Sequence, residues 1–189
     1  MFLNYPKHTK RKDEVLKGSG NALVPEGTKV TWKLKTKSTS QVYLFAKDTL
    51  AFISSKKDVF EAKKSLFSNL DYEVSTSNSR LKNYENLAFS IDVVKDEFPE
   101  LNVTMKVDSL DLQSLYFHGQ VSDDYGLSKL QLVYYPTNKE NEKQIEAIKL
   151  TNSNVSEFIT AFPNNLNIKA GISYNLYFQV FDNDVVNKF

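Results

Sequence analysis

The residues of this 189-residue chain whose types and positions could do chemistry are its loop carboxylates. Two lie side by side in "VSDDYGLSKLQLVYY" as Asp123 and Asp124, two in "FDND" as Asp182 and Asp184, and two in "VKDEFP" as Asp96 and Glu97. A donor set made only of oxygen suits calcium. Crowding carboxylates is unfavourable unless lysines neutralise them, a cation binds them, or some keep their protons. The competing explanation is turn chemistry, the commoner cause of such clusters. Asp and Asn hydrogen-bond their own backbone two residues on, and Gly126 and Asn183 tolerate a positive φ. The alternating acidic spacing and central glycine of a helix-loop-helix calcium loop are absent.

Other constellations fail on residue type. The chain has no cysteine, which removes disulfides, thiolate metal sites and a Cys nucleophile together. His118 sits in the aromatic run "LYFHGQV" and His8 in a charged stretch, so no paired histidine site is expected. No serine occupies a Gly-x-Ser-x-Gly turn, and the six glycines form no phosphate-cradling loop. Catalysis is therefore not expected. Aromatic residues make up 13% of the chain. Alternation assigns most of them, Trp32 and Phe178 included, to the core, but Tyr135, Tyr177 and Phe181 point the other way. Those three are candidates for an exposed platform that meets a glycan or a partner protein.

The elements that must position these residues read as strands. Val30, Trp32 and Leu34 alternate with Thr31, Lys33 and Lys35 after the turn Pro25-Glu26-Gly27, and Leu87, Phe89, Ile91 and Val93 repeat the period of two. "QVYLFA" and "LAFISS" read as strands at hairpin spacing, Lys7 to Glu14 as a solvated charge run, and "KDVFEAKKSLFSNL" as strand rather than helix. At "KDEFPELNV" the pattern restarts, because Pro99 cannot donate in a ladder and biases Phe98 to extended geometry. The boundary is placed near residue 97, giving domains 1–96 and 97–189. Six strand candidates follow it, the last being "SYNLYFQVFD", with Tyr174, Leu176, Phe178 and Val180 on one face. The expected fold is all-β, two tandem immunoglobulin-like or fibronectin-type antiparallel β-sandwiches, the second lacking its last strand. Tyr174 takes the place of the corner tyrosine of such domains. If each strand of the second domain reverses direction, the linker, the "DDYG" turn and the "FDND" turn converge at one pole, where calcium would stiffen the junction.

Charge and hydropathy narrow the setting. With 24 basic and 23 acidic residues the net charge is +1, so no field of one sign attracts nucleic acid. No run approaches the roughly 20 apolar residues of a spanning helix, and the start "MFLNYPKHTK" lacks the apolar stretch of a signal peptide.

Three stretches, "KDEVLKGSGNALVPEGTKVTWKLKT", "VSDDYGLSKLQLVYY" and "YNLYFQVFDNDVVN", together resemble the soluble region of a family of large, membrane-anchored Bacteroidetes proteins without assigned activity. The resemblance implies an extracytoplasmic, envelope location. It supplies no catalytic residues. The role expected of such a tandem is structural or interaction-mediating, partnered by other domains of a longer chain or by envelope proteins. A carbohydrate-binding sandwich, with or without inter-domain calcium, is the alternative.

Overall fold

The computed structural model describes residues 1–183. The chain divides into two compact units, Met1–Asp96 and Glu97–Phe189. Both are built almost wholly of strands, and each is described by itself.

Unit 1 contains β1 (Phe2–Asn4), β2 (Glu14–Val15), β3 (Ala22–Pro25), β4 (Thr28–Lys35), β5 (Gln41–Phe45), β6 (Thr49–Ala51), β7 (Ile53–Lys56), β8 (Val59–Leu66), β9 (Leu70–Ser77) and β10 (Tyr84–Val94). One sheet runs β2-β1-β4-β8-β7 and the other β3-β10-β9-β5-β6. Apart from the short β2, these orders are the A-B-E-D and A′-G-F-C-C′ orders of an immunoglobulin-type sandwich. The parallel pairing of β3 with β10 belongs to that scheme, with Ala22 opposite Ile91 and Pro25 opposite Val94. Alternation explains the core. Thr28, Val30 and Trp32 of β4 are buried while Lys29, Lys33 and Lys35 are exposed. Val42, Leu44, Tyr72, Val74 and Ile91 answer from the opposing sheet.

A sandwich of this type is commonly tied by a disulfide between strands B and F. Here strand B supplies Trp32 and strand F supplies Tyr72. The indole Nε1 donates to Tyr72 Oη at 2.9 Å, the rings meet edge to face at 5.6 Å, and Tyr72 Oη donates onward to the Gly20 carbonyl at 2.6 Å. The buried polar ends of both aromatics are thereby satisfied.

The ambiguous stretch "KDVFEAKKSLFSNL" is strand, divided between β8 and the start of β9. Two readings of the first unit need correction. "LAFISS" is not one strand: the chain breaks at buried Phe52 and passes from β6 in one sheet to β7 in the other. Nor is Lys7 to Glu14 wholly solvated. Lys7–Thr9 form a 3₁₀ turn that buries His8 and Thr9, and Glu14 enters β2 against β1. The charge run masked this because lysines dominate it while the two short inward residues carry no periodic signal.

Unit 2 contains β11 (Glu100–Val107), β12 (Leu115–Ser122), β13 (Leu127–Pro136), β14 (Gln144–Ile148), β15 (Val155–Phe162) and β16 (Tyr174–Asp182). The sheets are β11-β12-β15 and β14-β13-β16, an A-B-E layer over a C′-C-F layer. Phe117 of β12 and Phe158 of β15 both pack on Phe178 of β16, at 5.2 and 5.3 Å between ring centroids. Gly119 makes this possible, because a Cβ there would lie 2.5 Å from the Phe158 ring. Tyr174 acts as the corner tyrosine, its Oη accepting from the Lys169 backbone N–H at 3.0 Å.

Candidate functional site

The acidic turns of unit 2 are drawn together by backbone and amide hydrogen bonds. Asp123 opens an Asx turn, Oδ2 accepting from Tyr125 N at 3.0 Å and from Gly126 N at 2.6 Å. Gly126 takes φ 121°, a value that favours glycine. The segment after β16 docks here: Asn183 N donates to the Gly126 carbonyl at 3.0 Å and Asn183 Nδ2 to the Tyr125 carbonyl at 3.0 Å. A third loop closes the cluster, with Asp123 N donating to Asn154 O at 2.9 Å and Asn154 Nδ2 to Asp124 O at 2.5 Å. The pairing of Glu100 with Ser122 brings the start of β11, three residues after Glu97, to this same pole.

Burial pushes the Asp123 carboxyl above the usual carboxylate range. The two turn N–H groups pull it back, and the charges of Asp124 and Asp182 raise it further. Asp123, Asp124 and Asp182 are therefore close enough to feel one another. Asp123 Oδ1 and Asn183 Oδ1 are buried with no hydrogen-bond partner among the described residues. Even so, no group of three or more His, Asp or Glu side chains among the described residues is arranged to hold a metal ion. Of the other carboxylates named from sequence, Asp96 belongs to unit 1. Its Oδ2 lies 3.9 Å from His8 Nε2, both side chains being nearly buried. Glu97 is exposed at the start of unit 2, and Asp184 lies outside the described residues. Sequence reading missed the His8–Asp96 contact, since nothing local links positions so far apart.

The aromatic trio occupies the outer face of the β14-β13-β16 sheet. Tyr177 and Phe181 are 39% and 38% exposed, and Tyr135 is half-buried. Lysines lie across the rings. Lys143 Nζ is 5.6 Å from the Tyr135 ring centre and 5.7 Å from that of Tyr177, and Lys129 Nζ is 5.4 Å from that of Phe181. A hydrogen bond to Glu140 and one to Tyr177 hold the Lys143 ammonium above the usual lysine range. The face is thus an aromatic and cationic patch whose rings are already engaged. His118 is exposed on β12.

A feature not read from the sequence is the overhang of β11. Val103, Met105 and Val107 pair with Gly119, Phe117 and Leu115, so they point to the interior side of their sheet. Yet they are 37%, 57% and 48% exposed. The cause is geometric. β12 and β15 lie over β16, so β11 projects past the outer edge of β16, where no described strand faces it. The inward residues Tyr174, Leu176, Phe178 and Val180 of β16 are correspondingly only half-buried. The signal in the sequence was the alternation of "LNVTMKV", which marks an inner face without saying whether anything covers it.

Beside this overhang the loop "DSLDLQS" is held rigid by its own carboxylates. Asp108 Oδ1 accepts from Leu110 N at 2.7 Å and from Asp111 N at 3.1 Å, and Asp111 Oδ2 accepts from Ser114 Oγ at 2.6 Å. The loop presents Leu110, 96% exposed, and Leu112.

No protein-family model and no curated protein matches the chain. Among solved structures, the chain is similar to a chicken TCR at 10% identity and a TM-score of 0.33, over 75% of this chain and 87% of the other. A chimeric titin Z1Z2-Z1Z2 tandem is similar at 10% identity and a TM-score of 0.27, over 75% and 78%. By its strand orders the chain is an all-β protein of immunoglobulin-like sandwiches.

Proposed function

We propose that this chain is a non-catalytic interaction and structural module of a larger envelope protein, and that its second unit engages an extended apolar strand. The observation that carries this reading is the inner row Val103, Met105 and Val107 beside an edge of β16, neither of which is covered by a strand among the described residues. Strand addition fits both features at once: main-chain groups pair with the edge while alternate side chains fill the apolar row. The strand comes from elsewhere in the same protein or from another envelope protein. Exposed Leu110 and Leu112 extend the apolar contact beyond it. An extracytoplasmic setting rests on the resemblance of the three sequence stretches.

Hydrogen exchange in the full-length protein tests the reading. The β16 amides that point away from β13 should be protected there and exchange rapidly in residues 1–189 alone. Photo-crosslinking from position 105 then distinguishes a strand of the same chain from that of a partner. Rapid exchange of those amides in the full-length protein would overturn the proposal.

Calcium at the acidic pole is the second reading, favoured by the buried oxygens of Asp123 and Asn183 that have no hydrogen-bond partner among the described residues. A thermal midpoint that rises with calcium but not with magnesium, and no longer rises in Asp123→Asn, would support it. An unchanged midpoint at millimolar calcium would leave the turn as strand punctuation. For the carbohydrate alternative, a glycan stacking on Tyr135 and Tyr177 must displace Lys143.

A further inference from the structure

Unit 1 contains a cleft of about 810 Å³ between its sheets, within the size range of small-molecule sites. It opens where β10 departs from regular geometry. Only Ile91–Val94 of β10 pair with β3, and the Asn21 side chain takes over at Ser90, its Oδ1 accepting the Ser90 N–H at 2.8 Å. The preceding half of the strand is bulged between Tyr84 and Leu87, and Asn83 and Glu85 hold φ of 49° and 59°. Left-handed backbone at non-glycine residues is costly and clusters where structure serves a function. As a result Leu87, which alternation assigns to the core, is exposed, and the space beneath β10 is open.

Trp32 and Tyr72 form the floor of this cleft, and Leu34, Val74, Leu87 and Phe89 its apolar walls. The rim is polar and carries more positive than negative charge. Exposed Lys35 and Lys37 stand there against the single carboxylate Glu85, and among the described residues neither lysine has an ion-pair partner. Thr36 Oγ1, between them, is buried without a hydrogen-bond partner among the described residues. An apolar chamber with a basic rim and an unpaired hydroxyl is complementary to one chemistry. We propose that unit 1 binds a single-tailed acyl carboxylate, its tail lying on Trp32 and Phe89 and its head group between Lys35, Thr36 and Lys37.

Trp32 is the only tryptophan of the chain, so its emission reports the floor of the cleft directly. The experiment titrates the protein with dodecanoate below its micellar concentration, with dodecanol and dodecyltrimethylammonium as neutral and cationic tails of the same length. Dodecanoate should change Trp32 emission saturably and bind more tightly than either control. Lys35→Glu with Lys37→Glu should weaken dodecanoate about tenfold or more, and strengthen dodecyltrimethylammonium. Leu87→Asn, at an already exposed wall position, should weaken all three tails alike. Circular dichroism confirms that each variant is folded before titration. Equal binding of the three tails, dodecanoate binding indifferent to the lysine reversal, or no saturable response would each overturn the proposal.

Discussion

Tyr72→Phe removes a single oxygen from the middle of unit 1, and its cost can be worked from two distances. The phenol oxygen accepts from Trp32 Nε1 at 2.9 Å and donates to the Gly20 carbonyl at 2.6 Å. Burial pushes the phenol above its ordinary value, against the pull of the indole N–H, so it stays protonated and keeps its donor. Without that oxygen a buried indole N–H and a backbone carbonyl lose their partner together. Each hydrogen bond contributes about 1 kcal/mol net, but a buried group left without its partner costs about 1–3 kcal/mol where water cannot reach it. With partial relief at Gly20, Tyr72→Phe should cost about 2–4 kcal/mol. For a unit of this size that lowers the midpoint by roughly 10 °C or more. Urea unfolding followed by Trp32 emission reads unit 1 alone, because unit 2 has no tryptophan. Trp32→Phe, followed by circular dichroism, should cost less from the hydrogen bond, since Tyr72 keeps Gly20. The double variant should then show a coupling of about 1 kcal/mol. A Tyr72→Phe cost below about 0.5 kcal/mol, or strict additivity, would refute the idea that this pair ties the sheets.

At Gly119 a methyl group would meet the Phe158 ring at 2.5 Å and the Asn102 carbonyl at 3.0 Å. Gly119→Ala should therefore destabilise unit 2 by about 1–3 kcal/mol, measurable by thermal unfolding. The raised carboxyl of Asp123 makes a pH prediction. A carboxyl that titrates higher when folded favours the folded state below its unfolded value, and that contribution is lost as pH rises through the folded one. Asp123→Asn keeps an acceptor for Tyr125 and Gly126 and sheds the charge. Relative to the parent its midpoint should be highest near neutral pH, the difference shrinking towards pH 4. Asp123→Ala sheds the same charge but forfeits both turn bonds, so it should lie about 1–2 kcal/mol below Asp123→Asn at every pH. Met105→Lys places a charge where no described strand covers the side chain. It should leave the midpoint of residues 1–189 within about 0.5 kcal/mol and abolish β16 protection in the full-length protein.

What the sequence discloses follows from periodicity. Val30, Trp32 and Leu34 announce a strand because every second residue is apolar, and Tyr174 announces a corner because its neighbours alternate around it. Short elements lack that redundancy. β1 and β2 hold three and two residues, so β1 is placed by its pairing with β4, and β2 by its pairing with β1, and not by a local pattern. The convergence of "DDYG" with "FDN" was legible from strand parity, and Asn183 realises it. That the same Asp123 spends one oxygen on two N–H groups was not, since either role uses the same residue types. The cleft was hidden for a related reason. Leu87 continues the alternation of β10, and only the left-handed turns at Asn83 and Glu85 lift it out of the core.

The parallel pairing of β3 with β10 has a mechanical meaning. β10 ends at Val94, two residues before the end of unit 1, and Val94 pairs with Pro25 in β3. Tension drawn through the chain pulls β10 towards its C-terminal end and β3 towards its N-terminal end. Parallel neighbours pulled in opposite directions slide along their shared ladder, so the hydrogen bonds between Ala22–Pro25 and Ile91–Val94 bear load together instead of opening one at a time. Resistance of this kind is set by an unfolding rate rather than by equilibrium stability. With no cysteine in the chain, that resistance is the same in oxidising and reducing surroundings.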